Sequence, residues 1–480
     1  ATGCPIPQAR SSVRTPRAAD RSGDLYVNLL LLLLLLPNLN LLFFWEIGFY
    51  NQPILPLALI GATTLARLTL GARFTVNGPL LFAGTVAVLL VAYLPALMQS
   101  TSATRWLTAA GYLAGPVAFL VLYNRAAGIA LAPVASVLGM QWVTCAGQLA
   151  GIYGGLGPVT DVLQTVFVGF KTETLGGGRG CSGTYGEPSH LARYAIAILA
   201  LTVVVGWQRG LGRTTHWSLA GLSALLVIAT LSATGLALLV ATAASAAGFA
   251  FIKRATPIQR VVLGAAGGGG AIAGALVLLL VNLNLGAQQT GPSTVRMFDL
   301  VRQASAVATK VEQIDFYDLQ RFGGYRLINV YVGYASIGPH PLGQGPASYF
   351  ETFQRTAAEV GVDLRKIAIW TSERIERRER PPVKPNSYGA QLTYDFGILG
   401  LLAVAGLGLF VTARMFARPV GTALAAFAVV GLLQILIYST TTIMAPWILM
   451  GLLASVRHRT VGDRPDAIPP NAHARGGATT

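Results

Sequence analysis

The chain alternates between long apolar runs and short polar connections along nearly its whole length. Runs near Leu25–Trp45, Ile54–Leu70, Leu80–Leu97, Trp106–Leu122, Gly128–Gly147, Leu191–Trp207, Trp217–Leu231, Gly235–Ile252, Val261–Val281, Tyr394–Val411, Ala423–Tyr438 and Thr441–Ser455 each suffice to cross a hydrocarbon core of roughly 30 Å as a helix. Backbone groups in lipid must find partners inside their own segment or in a closed barrel, and the period-two alternation of a barrel is absent. The pattern therefore predicts an all-α polytopic membrane protein of about twelve transmembrane helices. It is interrupted at length once, between Val281 and Tyr394, where one large extracytoplasmic loop is expected. The predicted order is a basic cytoplasmic tail (1–24), nine helices (25–281) with an extracytoplasmic loop at 148–190, a large periplasmic loop (282–393), three further helices (394–456) and a cytoplasmic tail (457–480).

Composition agrees with lipid as the main solvent: 53% of residues are hydrophobic, 11% are charged, and the mean hydropathy is +0.57. The first apolar run follows Arg10, Arg14, Arg17 and Arg21 without a small-residue cleavage site after it, so it reads as a retained span. With an even number of spans, Arg67, Arg73, Arg125, Arg209, Arg213, Lys253, Arg254, Arg260, Arg414 and Arg418 fall in connections on the same side as both tails. That side is the cytoplasm by the positive-inside rule. The net charge of +16 is thereby largely topology, and no nucleic-acid partner is needed to account for it. The glycines of 264–274 read as close helix packing. Cys4, Cys145 and Cys181 show neither a disulfide framework nor zinc-ligand spacing, and a single Cys145–Cys181 bridge outside the membrane is the less favoured alternative. No metal site and no cofactor is predicted.

What topology leaves over carries the chemistry. Between Val281 and Tyr394 lie 13 Lys/Arg and 10 Asp/Glu, with no acid between Asp318 and Glu351. In that acid-free stretch Arg321 and Arg326 flank a glycine pair, and His340 and Gly343-Gln344-Gly345 follow, with a helix expected to open at Pro346. Arginines beside a glycine turn at a helix N-terminus suit phosphate or diphosphate, whereas the glycines alone fit an ordinary solvated turn equally well. Just before the sixth run the sequence reads GEPSHLARY, Gly186 to Tyr194. Pro188 suits a first helical turn and Glu187 its positive end, but His190 and Arg193 at the mouth of a span point to a site. The stretch SERIERRER, 372–380, pairs opposite charges at helical spacing and reads as a solvated face. Beyond it, KPNSYGAQLTYDFGILG places Asn386, Tyr388, Gln391 and Asp395 near the membrane surface.

GEPSHLA, the arginine-bearing loop closed by PLGQG, and NSYGAQLTYDFGILG stand in an order that resembles the O-antigen polymerase and O-antigen ligase superfamily. The resemblance covers about 186–402 by motif and the remainder by hydropathy only. It implies a GT-C-like helical fold in the bacterial inner membrane, acting at the periplasmic face on undecaprenyl-diphosphate-linked oligosaccharide without metal or nucleotide sugar. Two departures favour the polymerase. Asn386, followed by Ser387, stands where ligases carry a histidine, and Ala233 in LSATG stands where they tend to carry an arginine.

The expectation from sequence is thus a polysaccharide polymerase, with an O-antigen ligase and a lipid-linked oligosaccharide flippase as alternatives. A diphosphate leaving group needs fixed cations. Arg321 and Arg326 come first, then Arg193, Arg179 and Lys171. Glu187, His190 and His340 are the groups able to act as general base. Asn386, Tyr388, Gly343 and Gly345 are expected to touch substrate, and a chain-length regulator is a candidate partner.

Overall fold

The computed structural model describes residues 18–35, 60–61, 63, 77–98, 103–153, 158, 180–185, 187–254, 325–366, 387–417, 422–441 and 443–454. Among them the chain is all helical, with no strand. The helices are α1 (Ala18–Leu35), α2 (Gly78–Ala92), α3 (Ala103–Arg125), α4 (Leu131–Tyr153), α5 (Pro188–Gln208), α6 (Arg213–Ala229), α7 (Ala233–Arg254), α8 (Tyr325–Ala335), α9 (Tyr349–Glu359), α10 (Tyr388–Ala417), α11 (Thr422–Leu433) and α12 (Ala445–Gly451). Helices within the 188–208, 234–252 and 388–415 stretches are long and apolar enough to span a membrane. A bent pair, Thr108–Gly128 with Leu131–Gly151, also passes together and turns by 116°. The apolar runs predicted at 54–70 and 261–281, the glycines of 264–274 and the charged stretch 372–380 lie largely or wholly outside the described residues.

The core is organised around α5. Its sequence, PSHLARYAIAILALTVVVGWQ, alternates small and branched side chains, and α4, α6, α7 and α12 all pack on it. Nearly every side chain from Leu191 to Gly206 is buried, so this apolar helix faces protein on all sides. By contrast α2, α7 and α10 present Val88, Val240, Leu402 and Leu409 outward, as lipid-facing helices do. At the head of α5, Gly235 of α7 allows close approach: a Cβ there would lie 2.7 Å from that of Ala192.

Two devices fix the ends of α5. At its C-terminal end Arg209 Nη2 donates to Ile129 O at 3.0 Å, while Asn28 accepts from Ala130 N–H at 2.8 Å and donates to Gly128 O at 3.1 Å. These bonds secure the turn between α3 and α4 beside Arg125. At the opposite end Gln148 Oε1 accepts from the N–H groups of Ser182 and Gly183, both at 2.9 Å, and its Nε2 donates to Gly183 O at 2.8 Å. Gln141 does the same for Thr184, accepting from its N–H at 3.0 Å and donating to its hydroxyl at 2.9 Å. Between these two glutamines, on the same face of α4, Cys145 is joined to Cys181. The disulfide therefore exists, where spacing alone had made it the lesser alternative; two cysteines 36 residues apart show no framework until α4 and the lead-in to α5 are packed together. Replacing both by serine is expected to lower stability by about 2–4 kcal/mol, read as a lower melting temperature in detergent. Equal melting of the two proteins would mean that the glutamine clamps hold the segment alone.

Residues 325–366 dock on the outside of α10. That helix is broken at Gly397, whose φ of 60° and ψ of −138° are not helical. The break frees the carbonyls of Tyr394 and Asp395, which accept from Gln344 N–H at 3.0 Å and Gly345 N–H at 2.9 Å. In return Ile398 N–H donates to Pro341 O at 2.9 Å. Helical bonds lost inside the span are thus replaced by bonds to the PLGQG turn, as a low-polarity environment requires.

Candidate functional site

The head of α5 gathers the chemistry. Glu187 is its extended N-cap residue (φ −140°, ψ 142°), and its carbonyl accepts from His190 N–H at 3.0 Å and Leu191 N–H at 3.2 Å. Pro188 begins the helix, as its fixed φ and missing N–H favour. From there residues 187, 190 and 193 recur at a spacing of three, so their side chains share one face. Arg193 is buried one turn inside the span. Its guanidinium lies over the Tyr438 ring, 4.0 Å from the centroid, and its Nε has no hydrogen-bond partner among the described residues.

The second guanidinium arrives from the loop. Arg326, in the first turn of α8, donates from Nη1 to the Tyr438 hydroxyl at 2.6 Å, with its Cζ 5.8 Å from the same ring. Tyr438 closes a single π-helical turn, Gln434–Tyr438, that continues α11. Such a turn leaves some of its own carbonyls without a usual helical partner. Here they are taken up: Ser387 Oγ donates to Ile435 O at 3.1 Å and Leu436 O at 2.6 Å, and Tyr334 OH donates to Leu436 O at 2.8 Å. Burial pushes the Tyr334 phenol up to about 12, so it stays protonated and able to donate.

Burial alone would raise the Glu187 carboxyl. His190, Arg326, the Ser189 hydroxyl (3.2 Å from Oε2) and Arg193 more than offset it and hold the carboxyl below the usual range. At neutral pH the cluster therefore contains an ionised carboxylate, two guanidiniums and an imidazole. That set can bind an anion through the guanidiniums and accept a proton at the carboxylate or imidazole.

Of the residues singled out from sequence, Glu187, His190, Arg193 and Arg326 meet here. Arg321, Arg179, Lys171 and Asn386 lie outside the described residues. His340 meets different partners: its Nε2 is 2.6 Å from Glu359 Oε2, and Arg355 Nε approaches the other Glu359 oxygen at 3.6 Å. Gly343 and Gly345, with φ of 86° and 91°, form the docking turn on α10; a Cβ on Gly343 would lie 2.5 Å from Gly397 N. The helix after them opens at Tyr349, three residues later than predicted. The N–H of Ala347 is already occupied by a carboxyl oxygen of the chain itself, Asp395 Oδ2 at 2.8 Å, which also accepts from Tyr112 OH at 2.5 Å. Tyr388 and Asp395 are buried against protein: the Tyr388 hydroxyl donates to Tyr112 O at 2.9 Å and its ring meets Trp447 edge-on at 5.0 Å. α10 begins at Tyr388, six residues before the predicted start of its span, which draws these groups inward.

Tyr438 was missed from sequence. A tyrosine at the end of an apolar run is an ordinary interfacial residue, and nothing in LIYSTTT marks its ring and hydroxyl as the meeting point of two arginines. No family model, curated protein or solved structure matches this chain.

Proposed function

We propose that this protein is a polysaccharide polymerase of the O-antigen polymerase type, a metal-independent glycosyltransferase of about twelve spans in the bacterial inner membrane. On this reading a growing glycan leaves undecaprenyl diphosphate for a hydroxyl of a new lipid-linked repeat unit. The observation that carries the proposal is the convergence of Arg193 and Arg326 on Tyr438 beside Glu187 and His190. The acceptor oxygen bonds to the anomeric carbon as the bond to the diphosphate oxygen breaks. Its proton passes to Glu187 or His190, and the two guanidiniums neutralise the departing diphosphate.

Sidedness supports the same reading. Arg125 and Arg209 gather at the end of α5 opposite the cluster, where positive-inside bias puts the cytoplasm. The Cys145–Cys181 disulfide lies at the cluster end, and disulfides persist in an oxidising compartment such as the periplasm.

A deletion strain tests the function. Loss of long glycan with a single repeat still attached to its acceptor is the expected result. Loss of all attached glycan would replace the reading with a ligase, and lipid-linked repeats trapped at the cytoplasmic face would replace it with a flippase. Since arginines are assigned the work a divalent ion does in many glycosyl transfers, activity of purified protein on lipid-linked repeats is expected to survive EDTA. Activity abolished by chelation and restored by magnesium or manganese would overturn the arginine assignment.

A further inference from the structure

Both guanidiniums of the site bear on one side chain. Arg326 is held by the Tyr438 hydroxyl at 2.6 Å, and Arg193 lies over the ring face at 4.0 Å. Two like charges brought this close repel, and each would relax outward without something between them. An aromatic ring supplies what is needed: its face attracts one cation and its phenol oxygen accepts from the other. The ring is itself held firmly. Tyr438 is buried, and the backbone two and three residues before it is fixed by Tyr334 of α8 and by Ser387 at the head of α10.

Resting on the diphosphate reading above, we propose that Tyr438 is a positioning residue that sets the spacing and orientation of Arg193 and Arg326 for the two phosphates of a polyprenyl diphosphate. It does not itself touch the reacting atoms. Arg193 keeps its guanidinium on the ring, with a buried Nε lacking a partner among the described residues, and is thus oriented before any ligand arrives. Because preorganised donors need no reorganisation at the moment of reaction, the effect is on binding of the diphosphate and on its stabilisation as a leaving group.

The hydroxyl and the ring can be removed separately. Isothermal titration of the full chain in detergent with farnesyl diphosphate, and with farnesol as the uncharged control, is the measurement. Tyr438→Phe keeps the platform for Arg193 and loses the tether to Arg326; binding is expected to weaken roughly tenfold, the scale of one hydrogen bond to a charged group. Tyr438→Leu loses both and is expected to weaken it roughly tenfold again. Farnesol binding stays at the wild-type value. In an Arg326→Ala background the effect of Tyr438→Phe on binding is expected to shrink, whereas a merely structural tyrosine would keep its full effect there. Should the Arg326→Ala protein bind too weakly to measure, the single variants decide. Wild-type affinity in Tyr438→Phe and Tyr438→Leu, with Arg193→Ala and Arg326→Ala impaired, overturns the positioning role and leaves the diphosphate reading standing. Wild-type affinity in both arginine variants removes the diphosphate reading, and the positioning role with it.

Discussion

On the proposed polymerase reading, Arg326→Ala is expected to lower polymer formation by about a hundredfold or more, with expression and membrane insertion unchanged, because fixed cations would act on charge that develops only as the glycosidic bond breaks. Arg326→Lys is expected to fall nearly as far. Lysine keeps the charge but cannot hold the Tyr438 hydroxyl and a phosphate oxygen with one rigid fork. Arg193→Ala should show the same loss in rate, and because Arg193 is buried inside the central helix it also leaves a gap against Tyr438. The control is Arg355, whose exposed side chain pairs with Glu359 at 3.6 Å one helical turn away. An exposed pair of this kind contributes about 0–1 kcal/mol, so Arg355→Ala should leave chain length and amount intact. The readout is the polymer ladder on a gel from a deletion strain complemented with each variant at matched protein level. Long chains from Arg326→Ala, or equal loss from Arg355→Ala, would show that charge at this place is not what the reaction uses.

The parts of this architecture that were legible in the sequence are those with a periodic or chemical signature. Apolar runs marked where α2–α7 and α10–α12 lie, but not all their ends: α1 runs Ala18–Leu35 against an expected 25–45, and α10 extends six residues beyond the expected run at each end. GEPSHLARY drew attention because ionisable groups at the mouth of a span are costly, and Glu187, His190 and Arg193 do cluster with Arg326. Arg326 stood out because the sequence expects it on the side where positive charge would oppose the topogenic bias. What stayed hidden depends on pairs far apart in the chain. Tyr438 meets Arg326 across 112 residues, and Tyr112 meets Asp395 across 283; neither tyrosine carries any local mark of its partner. His340 and the Gly343-Gln344-Gly345 turn misled for the opposite reason. Their local pattern is that of an anion loop, yet the turn's N–H groups are consumed by the backbone of a broken helix and by Asp395. The same sequence of glycines serves either purpose, and only the packing partner decides which.

That broken helix carries the other large effect. Gly397→Ala is expected to destabilise the protein by several kcal/mol and to release the loop that bears Arg326. The φ of 60° and ψ of −138° at Gly397 lie where a side chain is strained, at a cost on the order of 1–3 kcal/mol by itself. An added Cβ would also run into the Pro341 carbonyl oxygen and sit 2.5 Å from Gly343 N, both of them backbone atoms that cannot rotate aside. The least costly escape is for the substituted position to become helical, so that Ile398 and the residue after it reclaim the carbonyls of Tyr394 and Asp395. Gln344 and Gly345 then lose their acceptors, Ala347 its carboxylate contact, and the segment from Tyr325 onward its seat on α10. Straightening the helix therefore moves α8, and with it Arg326, away from Tyr438. The comparison is Gly406→Ala on the same helix, where a Cβ meets nothing within 4 Å; there the change should be neutral or stabilising by up to about 1 kcal/mol, since glycine is the poorer helix former. Thermal melts of the purified variants in detergent, with limited proteolysis of residues 325–366, separate the two. A Gly397→Ala protein that melts with wild type, resists the protease and still makes long polymer would show that the break in α10 does not hold the loop in place.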